Sequence, residues 1–220
     1  MEELDDWLRR IHMAPNIGLG IETVQACFIF DDMQWAFKLS TLLQSVPNLS
    51  WLVLDILGMR QLPARALENI YLPRLTDLSV ENISHDALTT ILHNNPNIWT
   101  LSIGSTVCQG SYCTLRDVRF THPISVSGGS PCLISLLHNN IIGGMSLSIR
   151  IRSIAATART RLAIRFMTSL SIQYESTHGD ILKTIADICP DLVYLELKMK
   201  SFLTVSHSSC QRPILISPSC

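Results

Sequence analysis

At 220 residues, with 47% apolar and only 16% charged side chains, the chain can bury a substantial core and lies far from the composition of disordered segments. Its formal net charge of -1 excludes the strongly basic balance of a protein built to coat nucleic acid. The opening acids Glu2, Glu3, Asp5 and Asp6 fit neither a signal nor a transit peptide, and no apolar run approaches the ~18 residues of a membrane span. An intracellular location, cytoplasmic or nuclear, with no membrane partner, is the expectation.

Residues 1–34 are read as an N-terminal cap or partial repeat. Trp35, Leu39, Leu42, Leu43 and Val46 then form one apolar stripe at helical spacing, on a helix that ends before Pro47. Immediately after it stands a six-residue figure, Leu49, Leu52 and Leu54: one apolar residue, two variable ones, then two apolar residues one position apart. The figure returns at Leu75, Leu78, Val80, and at Ile98, Leu101, Ile103. It returns again at Leu115, Val118, Phe120; at Met167, Leu170, Ile172; and at Leu192, Leu195, Leu197. The segment from Asp86 through Leu88, Ile91 and Leu92 reads as a helix ahead of Pro96, and Ile181, Leu182, Ile185 and Ile188 read as another ahead of Pro190. Three times the order is helix, proline, strand, as expected of a residue that cannot continue a helix and biases its predecessor toward extended backbone.

First positions of the figure are 26 residues apart from Leu49 to Leu75, 23 from Leu75 to Ile98 and 25 from Met167 to Leu192. The 17 residues from Ile98 to Leu115 mark a fourth repeat that is short, irregular or misread. Between Leu115 and Met167 there is room for one more strand, in either of two frames, Ile142, Met145, Leu147 or Leu147, Ile149. The stretch Ser125 to Ser130 reads as a loop. Repeats of this length on L-x-x-L-x-L are those of leucine-rich repeats, in which each unit buries its apolar positions against its neighbours. The predicted fold is an α/β leucine-rich-repeat solenoid over residues 35–200, curved, with a parallel inner sheet, outer helices and an irregular middle. Residues 201–220 form an atypical tail, read as disordered, as folding back through Ile214, Leu215 and Ile216, or as the cut end of something longer.

The phrases QSVPNLSWLVL, HNNPNIWTLSI and DICPDLVYLEL resemble the leucine-rich repeats of F-box-type proteins, particularly the divergent sets of fungi. The resemblance implies a curved α/β solenoid that recruits substrates to a ubiquitin ligase. Two departures stand beside it. The positions where many such repeats carry a ladder of Asn or Cys hold Leu57, Ile83, Thr106 and Lys200, and MEELDDWLRRIHMAPNIGLG contains nothing like an F-box. The alternative is a freestanding repeat scaffold or regulator unrelated to ubiquitin, and a ligase adaptor is expected as partner only if an F-box exists.

No phosphate loop, G-x-S-x-G, H-E-x-x-H or G-x-G-x-x-G is present, so the chain is not read as an enzyme and no cofactor is expected. Seven scattered cysteines include no C-x-x-C. The close pair Cys108 and Cys113 lacks a partner pair at zinc-finger spacing, so reduced thiols and no metal are expected. His93 and His138 share one setting, Ile91-Leu92-His93-Asn94-Asn95 and Leu136-Leu137-His138-Asn139-Asn140, which reads as the same polar cap closing two related helices.

Function is therefore expected on the strand residues that alternate with the buried ones and line the concave sheet. In the chosen frame these are Trp51, Val53 and Asp55; Asp77, Ser79 and Glu81; Thr100, Ser102 and Gly104; Asp117, Arg119 and Thr121; Ser169, Ser171 and Gln173; and Tyr194, Glu196 and Lys198. Trp51, Asp55, Asp77, Glu81, Asp117, Arg119, Tyr194, Glu196 and Lys198 are the partner-binding candidates. Trp51 and Tyr194 serve as anchors beside an acidic column suited to a basic protein segment. Residues 1 to 32 carry seven acids, whereas six arginines and no acid lie between Asp117 and Glu175. The cluster Arg150, Arg152, Arg159, Arg161 and Arg165 lacks the interleaved aromatics of an RNA surface, so it reads as a solvated face and nucleic acid is not the expected partner.

Overall fold

The structure, a computed structural model, describes residues 2–29, 33–57, 62, 64–104, 112–130, 132–136, 139–147, 167–174, 181–199 and 215–218. In chain order its first half contains α1 (Glu2–Met13), α2 (Pro15–Leu19), β1 (Ile21–Ile29), α3 (Met33–Gln44), β2 (Trp51–Leu57), a 3-10 turn (Ala64–Ala66), β3 (Asp77–Glu81) and α4 (His85–Asn94). There follow β4 (Thr100–Ile103), a second 3-10 turn (Thr114–Asp117), β5 (Ile124–Gly128), α5 (Leu133–Leu136), β6 (Ile142–Leu147), β7 (Ser169–Tyr174), α6 (Ile181–Ile188), β8 (Tyr194–Met199) and β9 (Leu215–Pro218). The chain divides into two compact units, Met1–Ile98 with Cys210–Cys220, and Trp99–Ser209.

In the first unit β1, β2 and β3 lie parallel, and β9 pairs antiparallel with β1 through Val24↔Ile216 and Gln25↔Leu215. Alternation decides the faces: Leu52, Leu54, Leu78 and Val80 are buried, while Trp51, Asp55, Asp77 and Glu81 point the other way. Leu49 and Leu75, the leading residues of the figure, are also fully buried. The same figure stands one repeat earlier, at the buried Ile21, Val24 and Ala26, so β1 is itself a repeat strand in the segment that the sequence marks only as cap or partial repeat. α3 buries Ala36, Leu39, Leu42 and Leu43, with Val46 buried just behind it, as the stripe requires. In α1, Leu4 and Ile11 are buried, and Asp6 on the outer face pairs with Arg9 and with Arg10, at 2.7 Å to the latter. Gly18 is required where α2 meets the end of α3, since a Cβ there would stand 2.1 Å from the Ser45 carbonyl oxygen.

In the second unit β4, β5, β6, β7 and β8 are all parallel, each paired with the next. Leu101, Ile103, Ile124, Val126, Ile142, Met145, Leu170 and Ile172 are buried, which places the middle strand in the Ile142, Met145, Leu147 frame. Both units thus have the α/β leucine-rich-repeat architecture of parallel strands, with helices or tight turns in the described connections. Two expectations need correction. Leu115, Val118 and Phe120 do not form the fourth strand: Leu115 lies in the second 3-10 turn, and Val118 and Phe120 in the connection after it. The strand of that repeat is β5, which from Ser125 on falls in the stretch read as a loop, whose glycine and serines mislead because Gly128, at φ 131, closes the strand against the Ile103 carbonyl.

The paired HNN sites explain how the connectors are held. Asn95 is buried: its Oδ1 accepts from Leu72 N–H at 2.5 Å, and its Nδ2 donates to the carbonyls of Ile70 at 3.2 Å and Ile91 at 2.7 Å. Asn140 repeats the arrangement, accepting from Phe120 N–H at 2.7 Å and donating to Val118 O and Leu136 O. Asn94 and Asn139 add one exposed bond each, to Glu68 O and Arg116 O. Asn95 and Asn140 each cap their own helix, as expected, and all four asparagines tie a helix end to the preceding connector.

Candidate functional site

Parallel pairing sets the open face of the first unit in rows, because residues in register on neighbouring parallel strands project side by side. Trp51 is flanked by Thr23 and Asp77, Val53 by Gln25 and Ser79, and Asp55 by Cys27 and Glu81. Trp51 is 50% exposed although it lies in the middle strand of three parallel ones, so its ring stands on the face rather than in the core. Asp77 is held by Thr76, whose hydroxyl donates to Asp77 Oδ2 at 2.7 Å and contacts the Ser50 carbonyl at 3.2 Å. Burial, followed by the charge of Glu81 beside it, pushes the Asp55 carboxyl above the usual carboxylate range. Two carboxylates on adjacent strands destabilise each other when both are ionised, and a cation between them relieves that repulsion.

The open face of the second unit has different chemistry. Thr100, Ser125, Gly144, Ser169 and Tyr194 form one row, and Ser102, Ser127, Ser146, Ser171 and Glu196 the next. Tyr194 is 57% exposed. The Ser171 hydroxyl donates to Glu196 Oε2 at 2.8 Å, and Lys198 Nζ lies 3.1 Å from the same oxygen. These contacts, the serine first, hold the Glu196 carboxyl below its usual range. The run of serines was hidden in sequence because the middle strand frames were open and β5 was not recognised.

Asp117 and Arg119 do not belong to this face. Both were assigned through the misread fourth strand, and the structure places Asp117 in the second 3-10 turn and Arg119 in the exposed connection after it. Asp117 instead accepts a 2.5 Å hydrogen bond from the Tyr112 hydroxyl, which pushes the Tyr112 phenol up. Just ahead of β4 and β5 an aromatic stack appears that the sequence did not suggest. Trp99, 53% exposed, stacks on His122 with centroids 4.0 Å apart, and Phe120 lies 6.5 Å from the same imidazole. Neither ring nitrogen of His122 has a hydrogen-bond partner.

Among the cysteines, Cys27 is disulfide-bonded, against the expectation of reduced thiols. Cys189 is buried where Asn95 stands in the earlier helix–proline step, and burial pushes its thiol up to about 11. Cys113 and Cys132 are half-buried, with sulfurs within 4.8 Å of each other. The arginine cluster Arg150, Arg152, Arg159, Arg161 and Arg165, together with Cys108, Thr106, His138 and Lys200, lies outside the described residues. Among the described residues no helix is long and apolar enough to cross a membrane.

No family model and no curated protein matches this chain. Among solved structures it is similar to an internalin C2 from Listeria monocytogenes, at 13% identity and a TM-score of 0.34, over 86% of this chain and 77% of that one.

Proposed function

We propose that the protein is a binding module for a protein partner, taken on the open strand face, and that the first unit accepts a basic, extended segment. The observation that carries this reading is the half-exposed Trp51 in register with Asp77 and four residues along the strands from the Asp55–Glu81 pair. An exposed aromatic in a rigid strand supplies contact area at low entropic cost, and flanking carboxylates steer and orient a cationic chain. Tyr194, Glu196 and Lys198 form the corresponding cluster on the second unit, where the serine rows offer hydrogen bonds to backbone or polar side chains.

The repeat phrases, through their resemblance to F-box-type proteins, favour a narrower role within that reading, recognition of substrates for a ubiquitin ligase. Affinity purification from native cells tests it. Recovery of a cullin with its adaptor supports the ligase role, and a partner recovered without them leaves a freestanding scaffold. The binding reading is tested with Lys/Arg-rich peptides by fluorescence polarisation at low and high salt. Trp51→Ala should weaken binding about tenfold or more, and joint neutralisation of Asp55, Asp77 and Glu81 should flatten the salt dependence. Equal binding by wild type and both variants would place the partner elsewhere.

A further inference from the structure

We infer that Cys113 and Cys132 form a redox-active dithiol site in the second unit, oxidised to an intramolecular disulfide by a small disulfide of the glutathione class. Cys108, close to Cys113 in sequence, lies outside the described residues. Folding brings the sulfurs of Cys113 and Cys132 within 4.8 Å of one another across 19 positions of chain.

Each cysteine heads a short turn whose backbone is fixed. The Cys113 carbonyl accepts from Arg116 N–H at 3.0 Å at the start of the second 3-10 turn, and the Cys132 carbonyl accepts from Ser135 N–H at 2.9 Å at the start of α5. That turn and that helix pack together, and Asn139 and Asn140 tie them by hydrogen bonds to Arg116, Val118 and Phe120. The two thiols are therefore held as neighbours by a scaffold independent of either sulfur, and side-chain rotation with slight give in the two short turns closes the gap to a ~2.0 Å bond. Both side chains are half-buried, so a small oxidant reaches them, whereas Cys189 is buried with its thiol pushed up and is a poor nucleophile.

The chemistry balances as thiol–disulfide exchange. One cysteine thiolate attacks a sulfur of oxidised glutathione, forming a mixed disulfide and expelling one glutathione thiolate. The second cysteine, as thiolate, attacks the protein sulfur of that mixed disulfide and expels the second glutathione. Two protein thiols lose two electrons and two protons, and one small disulfide is reduced to two thiols. The product staples the connector before β5 to the helix after it, so oxidation stiffens the elements that carry the serine rows.

The test equilibrates the full chain in glutathione redox buffers, alkylates remaining thiols and maps the unreduced protein by mass spectrometry. Chymotrypsin, which cuts after Tyr112, separates Cys108 from Cys113. The expected result is a Cys113–Cys132 linked peptide, retained in Cys108→Ser and absent from Cys113→Ser and Cys132→Ser. Under the same oxidising buffer the wild type should melt roughly 5–10 °C above Cys113→Ser, a difference that vanishes with reductant. The map of the wild type needs no variant to fold, and circular dichroism checks that the serine variants do. Recovery of both cysteines as alkylated thiols or as persistent glutathione adducts, or linked to other cysteines, would overturn the assignment.

Discussion

Replacing Asn95 by alanine removes a side chain that satisfies three backbone groups in a site that is 1% exposed: Leu72 N–H, Ile70 C=O and Ile91 C=O. A buried polar group left without a partner costs about 1–3 kcal/mol. Water entering the vacated space recovers part of three such penalties, which leaves a loss of about 3–5 kcal/mol, a large fraction of the ~5–15 kcal/mol typical of a folded domain. Asn94→Ala, which removes one exposed bond to Glu68 O, should cost under about 1 kcal/mol and serves as the control. Asn95→Asp separates hydrogen bonding from size. It keeps the acceptor for Leu72 N–H but replaces the Nδ2 donor with a carboxyl oxygen facing two carbonyl oxygens, so in the fold its carboxyl is held above the ordinary value of ~3.9. A carboxyl raised in the folded state binds more protons there than in the unfolded chain. Stability then falls as pH rises from the ordinary value through the raised one, and the aspartate variant should be least penalised in acid. Urea unfolding followed by circular dichroism, for all three variants across pH, reads these differences directly. A cost for Asn95→Ala no larger than that for Asn94→Ala would refute the account of the asparagine as a latch between connector and helix.

Leu101, fully buried, should lose about 2–5 kcal/mol on replacement by alanine, whereas Trp51→Ala should leave the unfolding midpoint nearly unchanged while weakening partner binding; the opposite outcome in thermal melts would put the strand frame off by one. Gly128→Ala should cost about 2–4 kcal/mol in chemical denaturation, because the new Cβ would fall 1.7 Å from the Ile103 carbonyl oxygen at a φ of 131. The raised Asp55 carboxyl makes the folded state bind more protons than the unfolded chain, so wild-type stability drops as pH climbs through the acidic range. Asp55→Asn should remove that drop and gain under about 1 kcal/mol near neutrality, screening included, and a pH series of urea midpoints checks it.

What the sequence conveyed, it conveyed through burial period. Wherever the figure was followed by continued alternation and preceded by a helix closing on proline, as at Leu49, Ile98 and Leu192, both strand and face were legible, and with them Trp51, Asp55, Tyr194, Glu196 and Lys198. The stripe of α3 was legible for the same reason. β1 was not, because its third apolar position is Ala26, small enough to escape notice though buried. β5 was not, because Ser125, Ser127 and Gly128 have turn-like composition and only their register between β4 and β6 makes them a strand. The Cys113 and Cys132 contact depends on tertiary packing and leaves no spacing signal at all.

The misplaced fourth strand shows why one figure can mean two things. Leu67, Ile70 and Leu72 spell it as well, at 48 residues before Leu115, Val118 and Phe120, and both copies lie in connectors. In each, the second residue's N–H bonds to the first residue's carbonyl at 3.3 Å, a tight turn, and the second and third apolar positions fall outside helix and strand, Val118 on extended backbone at φ -67 and ψ 136. A turn followed by an extended pair needs burial at i, i+3 and i+5, whether that pair belongs to a sheet or to a loop pressed against a helix. The asparagine bonds confirm the equivalence, since Asn95 engages Ile70 and Leu72 as Asn140 engages Val118 and Phe120. The 17 residues from Ile98 to Leu115, anomalous as a strand-to-strand interval, match the 18 from Leu49 to Leu67 as a strand-to-connector interval. Leu52 to Leu101 is 49 residues and Leu78 to Val126 is 48, so over this stretch the pattern that recurs is a pair of strands with one tight-turn connector and one helical connector locked by asparagine.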